Sequence, residues 1–406
     1  MISEYPIDRS NSAGGSVPKQ LLFIPGPVTV AEPVLAATGQ PLIDHRGPEF
    51  KLLLARVSQR MKPIFGTTRA EVLVLGASGT GGLEAAITNL FGPGDRLLAC
   101  PIGVFGDRLI AIARAWGCRV DVLETAWGSA LEPAALRARL AAATGDERYT
   151  GVLLTHNETS TGTQNDMGAV AAAMRGHDVY TIVDSVSGLG ASAFHMDDWG
   201  FDVVVTASQK VLGAPPGLAM VAVAARAWER VDANPAPRFY FDLKKARDFA
   251  ALGQTPWTPP VSIVFGVDAA LDEYEREGAP SVWERHERYA RAIRACAAAM
   301  GLEVYSKEGA HSLTVVAIRL PAGVDGDAVR RTLREQRGVI IGGGQGRLKG
   351  EIIRIGTMGD LTQTDVLGAL GALEIALLEH GLKLSVGAGV RAALKVFLAA
   401  EEPAAV

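Results

Sequence analysis

Four short stretches of the chain set reactive or ligand-holding side chains directly after apolar runs. In VVVTASQKVLGAPPG (203–217), Lys210 stands at the end of an apolar strand and is followed by Gly213, Pro215, Pro216 and Gly217. An amine in that position either loses hydration, which lowers its pKa, or snorkels to water along its own stem. In IVDSVSGLGA (182–191), Asp184 closes another apolar run. Its carboxylate either lies on the carboxyl edge of a sheet, where open α/β sheets bind ligands, or caps the next turn. In GASGTGGLEAA (76–86), small residues join a strand to a helix. Gly79, Thr80 and Gly81 there read as an anion cradle or as a helix start that needs close packing. No Lys-Ser/Thr pair follows, and the dinucleotide glycine spacing is missing. THNETSTG (155–162) adds a polar turn with His156, Asn157, Glu158 and Thr159.

Each stretch has a bland reading; their combination is more demanding. A phosphate turn, an acid able to keep a ring nitrogen protonated, and a lysine able to form a Schiff base are the parts of a pyridoxal-phosphate enzyme. The acid keeps the ring electron-poor, and the desolvated amine of Lys210 would form the covalent link and later move a proton.

The elements that must hold these parts alternate. Apolar runs at 72–76, 96–100, 119–124, 149–156, 180–186, 202–208 and 218–224 are mostly separated by helical stretches at 82–91, 105–116, 132–143 and 166–176. Such alternation predicts βαβ crossovers and an α/β fold with a large, mostly parallel seven-stranded sheet. Strands buried on both faces explain runs that are apolar throughout. After about residue 275 the pattern changes to a charged helix at 280–300, strands near 313–320, 339–344 and 351–356, and helices near 325–337 and 364–380. The expected organisation is a flexible arm over 1–20, a large domain over 21–275, a smaller C-terminal α/β domain over 276–380, and a helical extension over 381–406.

Composition excludes several classes. A chain of 406 residues with 48% hydrophobic and 21% charged residues is neither disordered nor fibrous. Its net charge of −4 and lack of basic blocks give no nucleic-acid footprint. Cys100, Cys118 and Cys296 read as buried free thiols of a reducing compartment. No signal-like apolar core and no apolar run of about 18 residues are present, so a cytoplasmic protein without a membrane span is expected.

PGPVTV, DHRGPEF, ASGTGGLEAA, HNETSTG, VDSVSGLG, TASQKVLGAPPG and IRIGTMGD occur in an order that resembles the class V aminotransferases of fold-type I, in the alanine/serine–glyoxylate (or –pyruvate) branch. The resemblance runs from about residue 21 to 380. It implies pyridoxal 5'-phosphate as cofactor, with Lys210 as the Schiff-base lysine and Asp184 on the pyridine nitrogen. It implies Gly79, Thr80 and Gly81 on the phosphate with help from Gln209, Thr159 on the ring 3-oxygen, and Phe105 stacked over the ring where many relatives have Trp. Arg354 would grip the substrate carboxylate, and Gly26 would lie beside the substrate. Thr258, and less firmly Thr255, in GQTPWTPPVS (253–262) would reach the phosphate of the neighbouring chain, making an obligate homodimer. His45, Arg46 and Glu49 would shape the entrance or the dimer contact, His156 and Glu158 would be loop scaffolding, and Asp360 and Arg347 would line the pocket mouth. No metal is expected.

The implied reaction is a ping-pong transfer of an amino group from a small amino acid, alanine or serine, to glyoxylate or pyruvate. Aspartate, ureidoglycine, 2-aminoethylphosphonate or pyridoxamine as donor, a lyase or desulfurase on the same cofactor, and a non-enzymatic assembly protein are the rivals. The cysteines lie near no predicted catalytic loop, which speaks against a desulfurase.

Overall fold

The computed structural model describes residues 20–399. Residues 1–19 of the arm expected over 1–20, and the last seven residues of the expected extension, lie outside the described residues.

Seven strands form one sheet in the spatial order 71–76, 218–223, 203–207, 180–184, 151–155, 96–100 and 119–122. The pairings from Val203–Ala207 through to Arg119–Val122 are all parallel. Leu218–Val223 runs antiparallel to both of its neighbours. The reason is local. Residues 208–217 turn the chain straight back, with the Ser208 hydroxyl donating to the Pro215 carbonyl at 2.7 Å. Gly213 there takes φ +71°, which a residue with a side chain rarely adopts.

A second sheet has the order 21–23, 339–343, 352–356, 315–319 and 303–304. Its first strand is a departure from the boundary expected at residue 21. Leu21–Phe23 pairs in parallel with Val339–Ile341, so the start of the described chain completes the C-terminal sheet. Three apolar residues hold no register of their own; the edge of a distant strand sets it, while Leu22 N also donates to Thr29 Oγ1 at 3.1 Å. Beneath this sheet, Phe23, Ile293, Leu333, Ile353 and Leu373 share one core.

Five further helices lie outside the pattern read from the sequence: Glu32–Thr38, Pro48–Phe65, Ala225–Ala233, Leu243–Ala251 and Val261–Glu277. Pro48–Phe65 begins inside DHRGPEF, where proline opens the first turn. It is tied to Val261–Glu277 by Arg60, which reaches Asp268, Asp272 and Glu275 at 2.7–2.8 Å. The expected C-terminal extension contains one helix, Ala388–Leu398, whose N-terminal amides of Gly387 and Val390 donate to the buried Glu374 carboxylate. Among the described residues no helix is long and apolar enough to cross a membrane.

Candidate active site

Parallel pairing aligns the carboxyl ends of the central strands. Thr155 lies opposite Asp184, and Asp184 opposite Val205, so the segments following these strands emerge on one edge. They meet the first turn of the helix Gly79–Leu90 around one cavity, lined by Thr80, Phe105, Thr159, Asp184, Gln209 and Lys210 among others. Open α/β sheets present ligand sites on this edge.

The glycine turn is closely packed, and its first residues line the cavity. A side chain at Gly79 would meet Val186 Cγ2 at 2.9 Å, so the helix start is closely packed. Gly81 is hemmed in as well, with Ala77 and Phe241 atoms 3.0 Å from where its Cβ would lie. The first-turn N–H groups have no intrahelical acceptors and carry the positive end of the helix dipole. Ser78 caps this helix, its hydroxyl accepting from Gly81 N at 3.3 Å.

Asp184 serves both its own turn and the cavity. Its Oδ1 accepts from Val186 N at 3.0 Å, an Asx turn, while the carboxylate is 4% exposed and lines the cavity. Burial pushes its pKa up to about 6, against the pull of the Val186 amide, Lys210 and Arg108. Lys210 is half-buried, and its amine donates to the Pro25 carbonyl. Burial lowers its pKa to about 8, opposed by the attraction of Asp184 and reinforced by Arg354 and Arg108. The amine therefore does not snorkel to water.

Gly26, with φ +107°, leaves room for that lysine. A Cβ there would lie 2.7 Å from Lys210 Nζ. Arg354, 6% exposed, reaches the site through Thr159: Nη1 donates to the Thr159 carbonyl at 2.9 Å and Nε to Gly343 O at 2.7 Å. Nη2 has no hydrogen bond among the described residues. Burial lowers the Arg354 pKa to about 10, with Glu158 pulling it up and Arg330 pushing it down.

The polar turn after residue 155 does more than scaffold a loop. Glu158 is fully buried and accepts from Phe105 N at 3.0 Å, Gly106 N at 3.2 Å, Ser160 N at 3.0 Å and Ser160 Oγ at 2.6 Å. It thereby anchors the start of the helix Val104–Ala115 that carries Phe105. Burial raises its pKa to about 7, despite those four donors. His156 is buried against Ser185 Oγ at 2.8 Å, and burial lowers its pKa to about 4.

Other expected residues fall elsewhere. Thr258 is exposed in a separate hollow with Gly76, Tyr240 and Trp257, away from this chain's own cavity. Thr255 Oγ1 donates to Trp257 O at 2.8 Å. Arg46 holds the same segment through Gln254 Oε1 at 2.7 Å and Thr255 O at 2.9 Å. Asp360 and Arg347 are exposed and lie outside the lining of this cavity. Asp360 borders a different cavity behind the lysine turn with Tyr274, and Arg347 stacks 3.8 Å from the centre of the Trp127 ring. Glycine-rich flanks gave both residues a loop-like sequence context, and packing alone placed them. The cysteines are free and buried, with burial pushing Cys100 and Cys296 up to about 12 and Cys118 to about 11. Arg108 was not singled out from the sequence, yet it lines the cavity. Its place three residues after Phe105 on a helix was the available signal.

The donor set fits pyridoxal 5'-phosphate. Backbone N–H groups, the Thr80 hydroxyl and a guanidinium suit a phosphate, a buried carboxylate suits a ring N–H, and an amine of lowered pKa suits an aldehyde. The Gln209 amide oxygen is buried at this cavity without a hydrogen-bond partner among the described residues, an acceptor that a donor group would satisfy, while the amide N–H groups of the same side chain are the end that suits a phosphate.

Comparison with known proteins agrees. The family model for aminotransferase class V matches residues 35–363. The chain is 39% identical to a protein named soluble hydrogenase, small subunit, of Synechococcus sp., over 93% of this chain and 98% of that one. It is 37% identical to L-aspartate–glyoxylate aminotransferase of Paracoccus denitrificans, over 92% and 94%. The crystal structure of ureidoglycine–glyoxylate aminotransferase from Bacillus subtilis superposes with a TM-score of 0.89 at 29% identity, covering 95% of this chain and 100% of that one. Among the described residues, no group of three or more His, Cys, Asp or Glu could hold a metal ion. A lysine, a carboxylate and a helix start facing one cavity, in a chain matched over most of its length by that family, make this protein a member of the class V aminotransferases, pyridoxal-phosphate-dependent transaminases.

Proposed function

We propose that the protein transfers the amino group of a small amino acid, alanine or serine, to glyoxylate or pyruvate in a ping-pong cycle. The observation that carries this is the convergence of Lys210, Asp184 and the Gly79–Gly81 turn on one cavity, with a free edge of Arg354 beside it. When bound, pyridoxal 5'-phosphate supplies the electron sink for a carbanion next to nitrogen and carries the amino group between substrates. Lys210 would hold the cofactor through Nζ, and the same amine would move the proton at the substrate α-carbon. Asp184 keeps the pyridine nitrogen protonated by accepting its hydrogen bond. Gly79, Thr80 and Gly81 would hold the phosphate with Gln209, and Phe105 and Thr159 would hold the ring.

Arg354 orients the substrate through Nη2, the edge left free when Thr159 and Gly343 take Nη1 and Nε. A planar guanidinium suits a carboxylate better than an ammonium does. Because every candidate substrate carries that carboxylate, Arg354 orients them all alike.

The reading extends to a cytoplasmic homodimer in which Thr258, with Thr255, reaches the partner's phosphate. Exposure of Phe239, Tyr240, Leu42, Leu52 and Leu252 supports a covered face here, as does the stacking of Trp257 on Phe239 and Tyr240 at 4.9 and 5.8 Å. A two-fold pairing would complete both sites at once.

The test is a half-reaction. Purified enzyme is mixed with single amino acids without an acceptor, and conversion of the cofactor to its amine form is followed by absorbance. Alanine or serine should drive it, and glyoxylate or pyruvate should reverse it. Conversion by no amino acid, together with sulfide release from cysteine, would overturn the proposal.

A further inference from the structure

Arg108 stands on the wall of the cofactor cavity, and its partners are unusual for this chain. It lies on the helix Val104–Ala115, one turn beyond Phe105. Its Nη1 donates to Thr80 Oγ1 at 2.9 Å, in the first turn of the helix Gly79–Leu90. Its guanidinium sits 4.6 Å over the Phe105 ring. Several arginines on or beside the large sheet are matched to carboxylates: Arg96 with Asp121 at 2.7 Å, Arg226 with Asp178 at 2.8 Å, and Arg230 with Asp95 at 2.6 Å. Among the described residues Arg108 forms no ion pair. A half-buried guanidinium therefore shares its space with the positive end of a helix, and the Asp184 carboxylate of the same cavity acts on it without forming an ion pair.

Such an arrangement is costly unless an anion joins it, and a phosphate dianion meets both donors together. The ring of Phe105 holds the plane of the guanidinium, so its donors are aimed before any ligand arrives. Arg108 also bears on the other groups of the cavity, since its charge favours the ionised Asp184 and the neutral Lys210 amine.

We propose that Arg108 is a binding residue for the phosphate of the cofactor, supplying the side-chain charge that the glycine turn lacks and fixing the phosphate relative to the ring packed on Phe105. This rests on the reading of the cavity as the cofactor site.

The experiment measures affinity, not turnover. Apoprotein of the wild type, Arg108→Gln and Arg108→Lys is titrated with pyridoxal 5'-phosphate and, separately, with pyridoxal, which lacks the phosphate. Fluorescence reports binding, and inorganic phosphate serves as competitor. Arg108→Gln should weaken pyridoxal 5'-phosphate by about 10- to 100-fold, the usual range for a charge-assisted contact. Pyridoxal should change by about twofold or less, and inorganic phosphate should compete less well than in the wild type. Arg108→Lys keeps the charge without the fork and should fall between the two. It carries the test alone if the glutamine variant does not fold. Equal weakening of both ligands would mean that Arg108 only supports the fold, and no weakening of either would mean it does not touch the phosphate; both results overturn the proposal. A wild-type apoprotein that binds neither ligand would instead remove the cofactor reading itself, and this inference with it.

Discussion

Replacing Gly26 by alanine should separate the placement of Lys210 from the stability of the fold. The new Cβ would lie 2.7 Å from Lys210 Nζ, 2.8 Å from Cδ and 2.9 Å from Cε. Nonbonded carbons prefer about 3.5–4.0 Å, so the end of the lysine must withdraw by about 1 Å. A displacement of that size at a reacting group costs on the order of 100-fold in rate. Independently, φ +107° at residue 26 costs a side chain about 1–3 kcal/mol. Gly200→Ala provides the control. Its φ is +74°, yet no atom lies within 4 Å of the added Cβ, so it bears the backbone cost alone. The assays are single-turnover conversion of the cofactor with alanine and urea unfolding. Both variants should lose stability by about 1–3 kcal/mol, and only Gly26→Ala should lose the rate. A Gly26→Ala enzyme that keeps the wild-type rate would refute the close approach of residue 26 to the amine, as would an equal rate loss in Gly200→Ala.

Capture of pyridoxal 5'-phosphate by the apoprotein should quicken with pH as the Lys210 amine loses its proton and level off above about 8, and Asp184→Asn should move the midpoint lower by removing the attraction for the ammonium; a midpoint near 10.5, the ordinary lysine value, would contradict the burial of this amine. Glu158→Gln should lose about 1–3 kcal/mol, because one amide oxygen cannot serve the four donors around it. Between pH 4.5 and about 7 the folded wild type holds a proton at Glu158 that the unfolded chain has released, so this residue's contribution to stability falls as pH rises through that window. Urea midpoints at pH 5 and 8 should differ less in the variant, and an unchanged difference would rule out that titration. Arg46→Ala frees Gln254 and Thr255 and should weaken dimer association by about tenfold, read by sedimentation at low concentration; an unaltered dimer would show that the 253–262 segment does not hold the partner.

The legible part of the site consisted of residues attached to strand ends. Asp184 and Lys210 follow runs of apolar residues with no alternation, the mark of strands buried on both faces, and parallel pairing then brings their ends together. The glycine turn was legible for the same reason, since small residues at a strand-to-helix junction permit both close packing and an anion. Arg354 was found through the family resemblance of IRIGTMG. The helices Pro48–Phe65 and Val261–Glu277 do carry periodic apolar faces, with Phe50, Leu53, Leu54, Val57 and Met61 buried on the first, but their pairing rests on ion pairs between residues more than 200 positions apart in the chain.

The amino-acid sequence by itself determined the alternating α/β sheet, the family, the cofactor and the residues proposed to deliver its chemistry, because each depends on local order along the chain. Tertiary structure decided what those residues touch. It set the Lys210 amine on Pro25 O, joined Arg354 to Thr159, moved the strand Leu21–Phe23 into the C-terminal sheet, and turned Arg108 toward Thr80. It also set Glu158 under the helix that carries Phe105. These are contacts between segments distant in sequence, selected by burial and by the demand that every buried polar group find a partner. Nothing in the short-range pattern encodes them.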